Sequence, residues 1–256
     1  MQDKKRTAAI FIMIAALTIG TGGLASYIWK GIQQKKAHDK LTEQVVESTE
    51  ESEEAPTEPT ELEAEEEAYV SPIDFKILWE QNEDVAAWIQ IPGTQINYPV
   101  VHGEDNDYYL HHDLNGQETV AGTIFLDYED EPDFSSQHNI LYGHHMRNGS
   151  MFKDIVRFKN QEYFNKHPEV ILYLPDREIH LKTLAAVVAS ADGIRRKTEF
   201  SSEEEFTSYI GKMTEKASAS APAEGTITRL YSFITCSYEF QNARTILYAY
   251  ETEEEE

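Results

Sequence analysis

The sequence predicts a mostly β fold with peripheral helices, a closed or nearly closed barrel of eight short strands. Two observations predict it. Eight short runs rich in Val, Ile, Leu, Tyr and Thr recur between residues 87 and 250. Helical periodicity, by contrast, is limited to a few short stretches between them.

The elements follow in order. Ser71-Pro72 opens a helix that places Phe75, Leu78 and Trp79 on one face. Strands are expected at 87–91, 98–101, 123–127 and 139–142, interrupted by a helical turn at 107–110, and a further helix at 150–156. Strands at 169–174 and 178–190 come next. Residues 201–216 carry Phe206, Ile210 and Met213 at helical spacing, with Ser201 or Ser202 as cap and acids in the first turn. Strands at 228–235 and 244–250 complete the barrel, and no internal repeat interrupts the pattern.

Outside this region the composition changes. Residues 8–29 contain no charged side chain, a run long enough to cross a ~30 Å hydrocarbon layer. With Lys4, Lys5 and Arg6 before it, the run is expected to be a single-pass signal-anchor, residues 1–7 being cytoplasmic and the rest extracellular. The alternative is a signal peptide cleaved near Leu24-Ala25-Ser26. Residues 30–68 then read as a stalk, acidic and disordered. Between Glu43 and Glu67 stand 12 Glu, and such a segment cannot bury enough apolar surface to offset its ordering entropy. The folded domain is expected at 69–250, with an acidic tail at 251–256.

Formal net charge is −24, and the 69–250 stretch alone holds 15 Lys and Arg against 27 Asp and Glu. With no basic stripe, a phosphate backbone would be repelled, which argues against nucleic acid as a partner. The one cysteine, Cys236, excludes an intrachain disulfide and any CxxC metal site.

Two segments carry chemistry. In YSFITCSYEFQNARTILYAY (231–250), two β-like runs flank a seven-residue connection, so Cys236 and Arg244 are expected side by side on neighbouring strands. A guanidinium beside a thiol favours the thiolate and can donate to a developing oxyanion. The alternative is a core cysteine and a surface arginine. In NILYGHHMRNGSMF (139–152), Gly143 is expected to make a sharp turn that exposes the following histidines, and a histidine can protonate a leaving amine and deprotonate an incoming one.

Together these motifs resemble the sortase family. ITCSYEF…AR is similar to the strand end that carries the sortase nucleophile with its downstream arginine, and YGHHMRNGSMF to the histidine segment of class B sortases. DVAAWIQIPGTQINYPVVHGEDNDYYLHHDLNG and AGTIFLDYEDEPDFSSQHNILYGH also resemble that class, so the likeness spans about 73–250. It implies a sortase-type eight-stranded barrel with an N-terminal helix and a helix in the connection before the cysteine-bearing strand. It also implies cysteine transpeptidase activity without a cofactor. Cys236 would be the nucleophile, His144 the general acid/base and Arg244 the oxyanion-stabilising or substrate-orienting group. Substrate contacts are expected at Asn106, Leu110, Tyr142, Thr235 and Ser237. Ile234 and Ser237 depart from the family's usual residues around the Thr-Cys pair. The implied partners are secreted proteins with a C-terminal LPxTG- or NPxTN-like sorting signal, a peptidoglycan-precursor amine, and the membrane through the N-terminal helix. Rival readings are a pilin-polymerising sortase, a membrane-tethered cysteine peptidase that hydrolyses its acyl-enzyme, and a non-catalytic tethered module.

Overall fold

The computed structural model describes residues 29, 31–33, 35–46, 69–191 and 195–252, in two compact units that divide between Gln44 and Val45. Described residues between 29 and 46 are helical (α1), where the sequence led us to expect the start of a disordered stalk. From 32 to 46 there is neither Gly nor Pro, and Gln, Lys, Ala, Leu and Glu are good helix formers. The expected single-pass membrane location must be corrected. Among the described residues no helix is long and apolar enough to cross a membrane. Nearly all of the apolar run at 8–29, and the acidic segment 47–68, lie outside the described residues.

The first element wholly within the second unit is α2 (Phe75–Gln81) among the described residues. Asp74, not Ser71, caps this helix, its Oδ1 accepting from the Lys76 and Ile77 amides at 2.9 and 3.3 Å. Then come β1 (Val85–Gln90), β2 (Asn97–His102), the single turn α3 (Tyr108–His111), β3 (Ile124–Leu126) and β4 (His138–Tyr142). The helix expected at 150–156 is a 3₁₀ helix over Phe152–Lys159, followed by α4 (Gln161–Lys166). The remainder is β5 (Glu169–Tyr173), β6 (Glu178–Ser190), α5 (Glu203–Thr214), β7 (Ala217–Ser220), β8 (Ile227–Cys236) and β9 (Ala243–Thr252).

The strands hydrogen-bond in the order β5-β1-β2-β3-β4-β8-β9-β6, and β6 pairs back onto β5, closing an eight-stranded barrel. β7 joins the side of β6 as a ninth strand. Two of the pairings are parallel, β2 with β3 and β4 with β8. Both joins require a crossover, and the second brings the histidine segment beside the cysteine-bearing strand.

Alternation along β8 and β9 divides the side chains between two faces. Tyr231, Phe233, Leu247 and Ala249 enter the barrel core with Phe152, while Leu230, Ile246, Tyr248 and Tyr250 pack outside against Phe206, Ile210 and Met213 of α5. Each large apolar side chain buried this way stabilises the fold by roughly 1.5–3 kcal/mol. α5 therefore covers part of the outer face and leaves the end of β8 open.

Candidate active site

Strand register delivers the three expected residues to one place. Cys236 pairs with Arg244 across β8 and β9. One step further, the Ser237 amide donates to Ala243 O at 3.0 Å, which marks a hydrogen-bonded pair. Cys236 and Arg244 are therefore a non-hydrogen-bonded pair, the kind whose side chains stand closest. Counting by twos from Ile246 and Tyr248 places Arg244 on the outer face, and Cys236, its partner, is on the same face. Cys236 is partly exposed, so the thiol is not sealed in the core.

On the other side, Tyr142 of β4 is in register with Ile234 of β8. The Gly143 amide donates to Ile234 O at 3.1 Å, carrying the pairing past the end of β4. Two residues beyond Tyr142 is His144, level with Cys236. Cys236 and Arg244 thus share the outer face, and His144 follows two residues after the β4 position paired with Ile234.

His144 Nε2 lies 2.8 Å from the carbonyl oxygen of Leu110. A carbonyl only accepts, so Nε2 carries the proton, and in the neutral ring Nδ1 is left as the base. Leu110 thus serves through its backbone. That carbonyl is fixed in turn by Gly122, at φ +57°, where an added Cβ would sit 2.7 Å from Leu110 O and 2.5 Å from Tyr109 O. The neighbouring His145 has a different duty. Its Nδ1 donates to the carbonyl oxygen of Cys236 at 2.9 Å, holding the backbone at the end of β8. Arg244 has no carboxylate partner among the described residues, and its Nη1 donates to Ala243 O at 3.1 Å. After Cys236, Glu239 pairs with Lys159 of the 3₁₀ helix and anchors the β8–β9 connection.

Gly143 plays a part the sequence did not predict. Its φ is not positive, so no left-handed turn exposes the histidines. What the position requires is the missing side chain, because an added Cβ would lie 2.7 Å from Cγ and Cδ2 of Phe152. The remaining expected contact residues separate into two groups. Asn106 Nδ2 and the Tyr142 hydroxyl both donate to Asp127 Oδ2, at 2.9 and 2.8 Å. Thr235 and Ser237 alternate with Cys236 and are only 2 % and 5 % exposed.

Asp127, at the end of β3, was missed by sequence reasoning. Fully buried, it also receives Arg196 Nε and Nη2 at 2.5 and 2.7 Å, and the Glu129 amide at 3.1 Å. Burial pushes its carboxyl up, but these donors outweigh that and hold it below the usual carboxylate range. The sequence did offer a signal. Arg195, Arg196 and Lys197 form a basic triplet within an acidic domain.

A closed barrel with a partly exposed thiol in register with a histidine and an arginine fits a cysteine transpeptidase. The chain belongs to the sortase family, whose Sortase domain model matches residues 89–252. Within that family it is a class B sortase. Sortase B of Clostridium perfringens is 34 % identical with a TM-score of 0.66, the match covering 70 % of this chain and all of that one. Sortase B of Listeria monocytogenes is 28 % identical over 178 residues, 68 % of this chain and 72 % of the relative. Sortase B of Bacillus anthracis, solved in complex with AAEK1, superposes with a TM-score of 0.71 at 26 % identity, covering 88 % of this chain and 99 % of that one.

Proposed function

We propose that this class B sortase cleaves a C-terminal LPxTG- or NPxTN-like sorting signal of secreted proteins after Thr and joins the acyl group to a peptidoglycan-precursor amine. Cys236 passes its thiol proton to His144 Nδ1 and attacks the Thr carbonyl carbon, Arg244 stabilises the oxyanion, and His144 returns that proton to the departing amine as the peptide bond breaks. The Cys236 thioester then accepts an incoming amine. His144 takes the amine's proton, the new peptide bond forms and the thiolate leaves. The observation that supports this reading is the pairing of Cys236 with Arg244 across β8 and β9, with β4 running alongside β8 to two residues before His144. The Leu110 carbonyl supports it further, because it sets the tautomer of the neutral His144 ring. A staphylococcal sortase B solved as a substrate complex shares the fold, with a TM-score of 0.74 at 22 % identity.

The full chain, incubated with quenched LPxTG, NPxTN and SPxTG peptides and an amine acceptor peptide, is expected to cleave at least one and form the ligated product. Cleavage that gives only the free acid would assign a hydrolase, and a chain inert towards every peptide would overturn the reading.

A further inference from the structure

His144 takes its tautomer from a peptide carbonyl, so whatever fixes that carbonyl also fixes the ring. The carbonyl is Leu110 O, 2.8 Å from His144 Nε2. It belongs to α3, a turn of four residues, too short to hold its place by its own hydrogen bonds. The residue before Leu110 supplies the missing hold at both of its ends. At the backbone, the Thr123 amide donates to Tyr109 O at 2.9 Å. At the side chain, the Tyr109 hydroxyl donates to Asp84 Oδ2 and accepts from Asn82 Nδ2, the latter at 2.9 Å. Between these ends the ring is buried against Gly103, where an added Cβ would lie 3.0 Å from Cδ2 and Cε2 of Tyr109.

The two partners of the hydroxyl are themselves fixed. Asp84 O accepts from the His102 amide of β2 at 2.8 Å, and the Asp84 amide donates to Asn82 Oδ1 at 2.9 Å. Asn82 ends α2 and also donates to Leu114 O at 3.0 Å, just beyond α3. Trp79 Nε1 closes the turn between α2 and β1 by donating to Val85 O at 2.9 Å. That turn is therefore a firm point, built from the barrel's first two strands, to which α3 is tied. Burial and the Asp84 carboxylate both push the Tyr109 hydroxyl above its ordinary range, so it remains a donor.

We propose that Tyr109 is a positioning residue for His144: its hydroxyl, held by Asp84 and Asn82, sets the place of the Leu110 carbonyl and through it the tautomer of the His144 ring. The proposal rests on the peptide-transfer reading above. A shift of α3 by ~1 Å would carry Leu110 O out of hydrogen-bonding range of Nε2, and a misplacement of that size can cost about 10²-fold in turnover. Without that acceptor the Nδ1–H tautomer becomes populated, and in that form Nδ1 cannot receive the thiol proton. The Thr123 bond to Tyr109 O survives loss of the hydroxyl, so the expected loss is smaller than the full figure.

The test uses the full chain carrying Tyr109→Phe or Asp84→Ala, with kcat and KM for the best sorting peptide and the ¹⁵N shifts of the His144 ring. Tyr109→Phe removes only the hydroxyl. It is expected to lower kcat about tenfold with KM within about twofold of wild type. The His144 ring, Nε2–H in the wild type, should show a share of the Nδ1–H tautomer. Asp84→Ala removes the acceptor instead and should give the same split between kcat and KM. A kcat within about twofold of wild type in a cooperatively folding Tyr109→Phe variant overturns the proposal. So does a fall of kcat with unchanged ring signals, which would assign Tyr109 a structural role alone. Should Tyr109→Phe fail to fold, Asp84→Ala decides, and a wild-type kcat there overturns the proposal. A wild-type chain that cleaves no peptide overturns the transfer reading and this proposal with it, whereas a cleaving wild type with unaffected variants overturns the proposal alone.

Discussion

Gly143→Ala adds one methyl group directly before His144, and the structure shows what that methyl meets. It would lie 2.7 Å from Cγ and Cδ2 of Phe152 and 3.2 Å from its Cβ. Ordinary carbon–carbon contacts are about 3.5–4.0 Å, so ring or backbone must move by roughly 1 Å. The ring has little room. Phe152 is fully buried and packs edge-on to Phe233 with centroids 6.1 Å apart. Overpacking of this kind costs about 1–3 kcal/mol. The strain falls on the histidine segment, because the Phe152 amide donates to His144 O at 3.0 Å and His145 bridges to Met151. A misplacement of ~1 Å can lower turnover by about 10²-fold. Thermal unfolding and peptide-cleavage kinetics on the single variant and on Gly143→Ala/Phe152→Leu form the assay. The single variant should lose both stability and kcat, and trimming Phe152 should restore part of each. A Gly143→Ala protein as stable and active as wild type would refute the close-packing argument.

Gly122→Ala should strain the backbone at φ +57° and push the Leu110 carbonyl away from His144, lowering kcat more than it raises KM in steady-state assays. Cys236→Ala should abolish cleavage, and His144→Ala and Arg244→Ala should each cost at least ~10²-fold in kcat, measured on the same peptide. Near-normal turnover in Arg244→Ala would remove it from the mechanism. Two buried groups set opposite pH slopes. Burial raises the Asp130 carboxyl to about 8, so it is protonated in the native state, and its stabilising effect declines as pH rises from about 4 towards 8. His138, wholly buried, is lowered to about 4, so its contribution is complete above about 6.5 and is lost as pH falls towards 4. The two cancel between those values. Asp130→Asn should therefore lose stability on acidification from pH 6.5 to 4, by roughly 1.4 kcal/mol per unit relative to wild type, in denaturant melts. Parallel melts of the two proteins would contradict this.

Most of the barrel was legible because its strands are half-buried and alternate. The expected run at 178–190 matches β6, and the runs at 228–235 and 244–250 fall within β8 and β9. β7 was missed because Ala-Ser-Ala-Ser offers no bulky alternation, and its pairing with β6 alone makes it a strand. Also missed was α4, a helix of six residues capped by Asn160. The motif resemblance implied His144, Cys236 and Arg244 as a set, but the parallel register of β4 with β8 depends on a crossover that no local pattern reveals. The same limit hid Asp127, whose partners Asn106, Tyr142 and Arg196 lie far from it in sequence. Thr235 and Ser237 adjoin Cys236 in sequence, and their burial follows from strand alternation that the motif alone does not display.

The most direct test of the account is the intact mass of the full chain after brief incubation with a cleavable sorting peptide. The account predicts an adduct equal to the peptide's acyl portion through Thr, located on Cys236 and discharged by an added amine. An adduct on any other residue, or continued cleavage by Cys236→Ala, would contradict it.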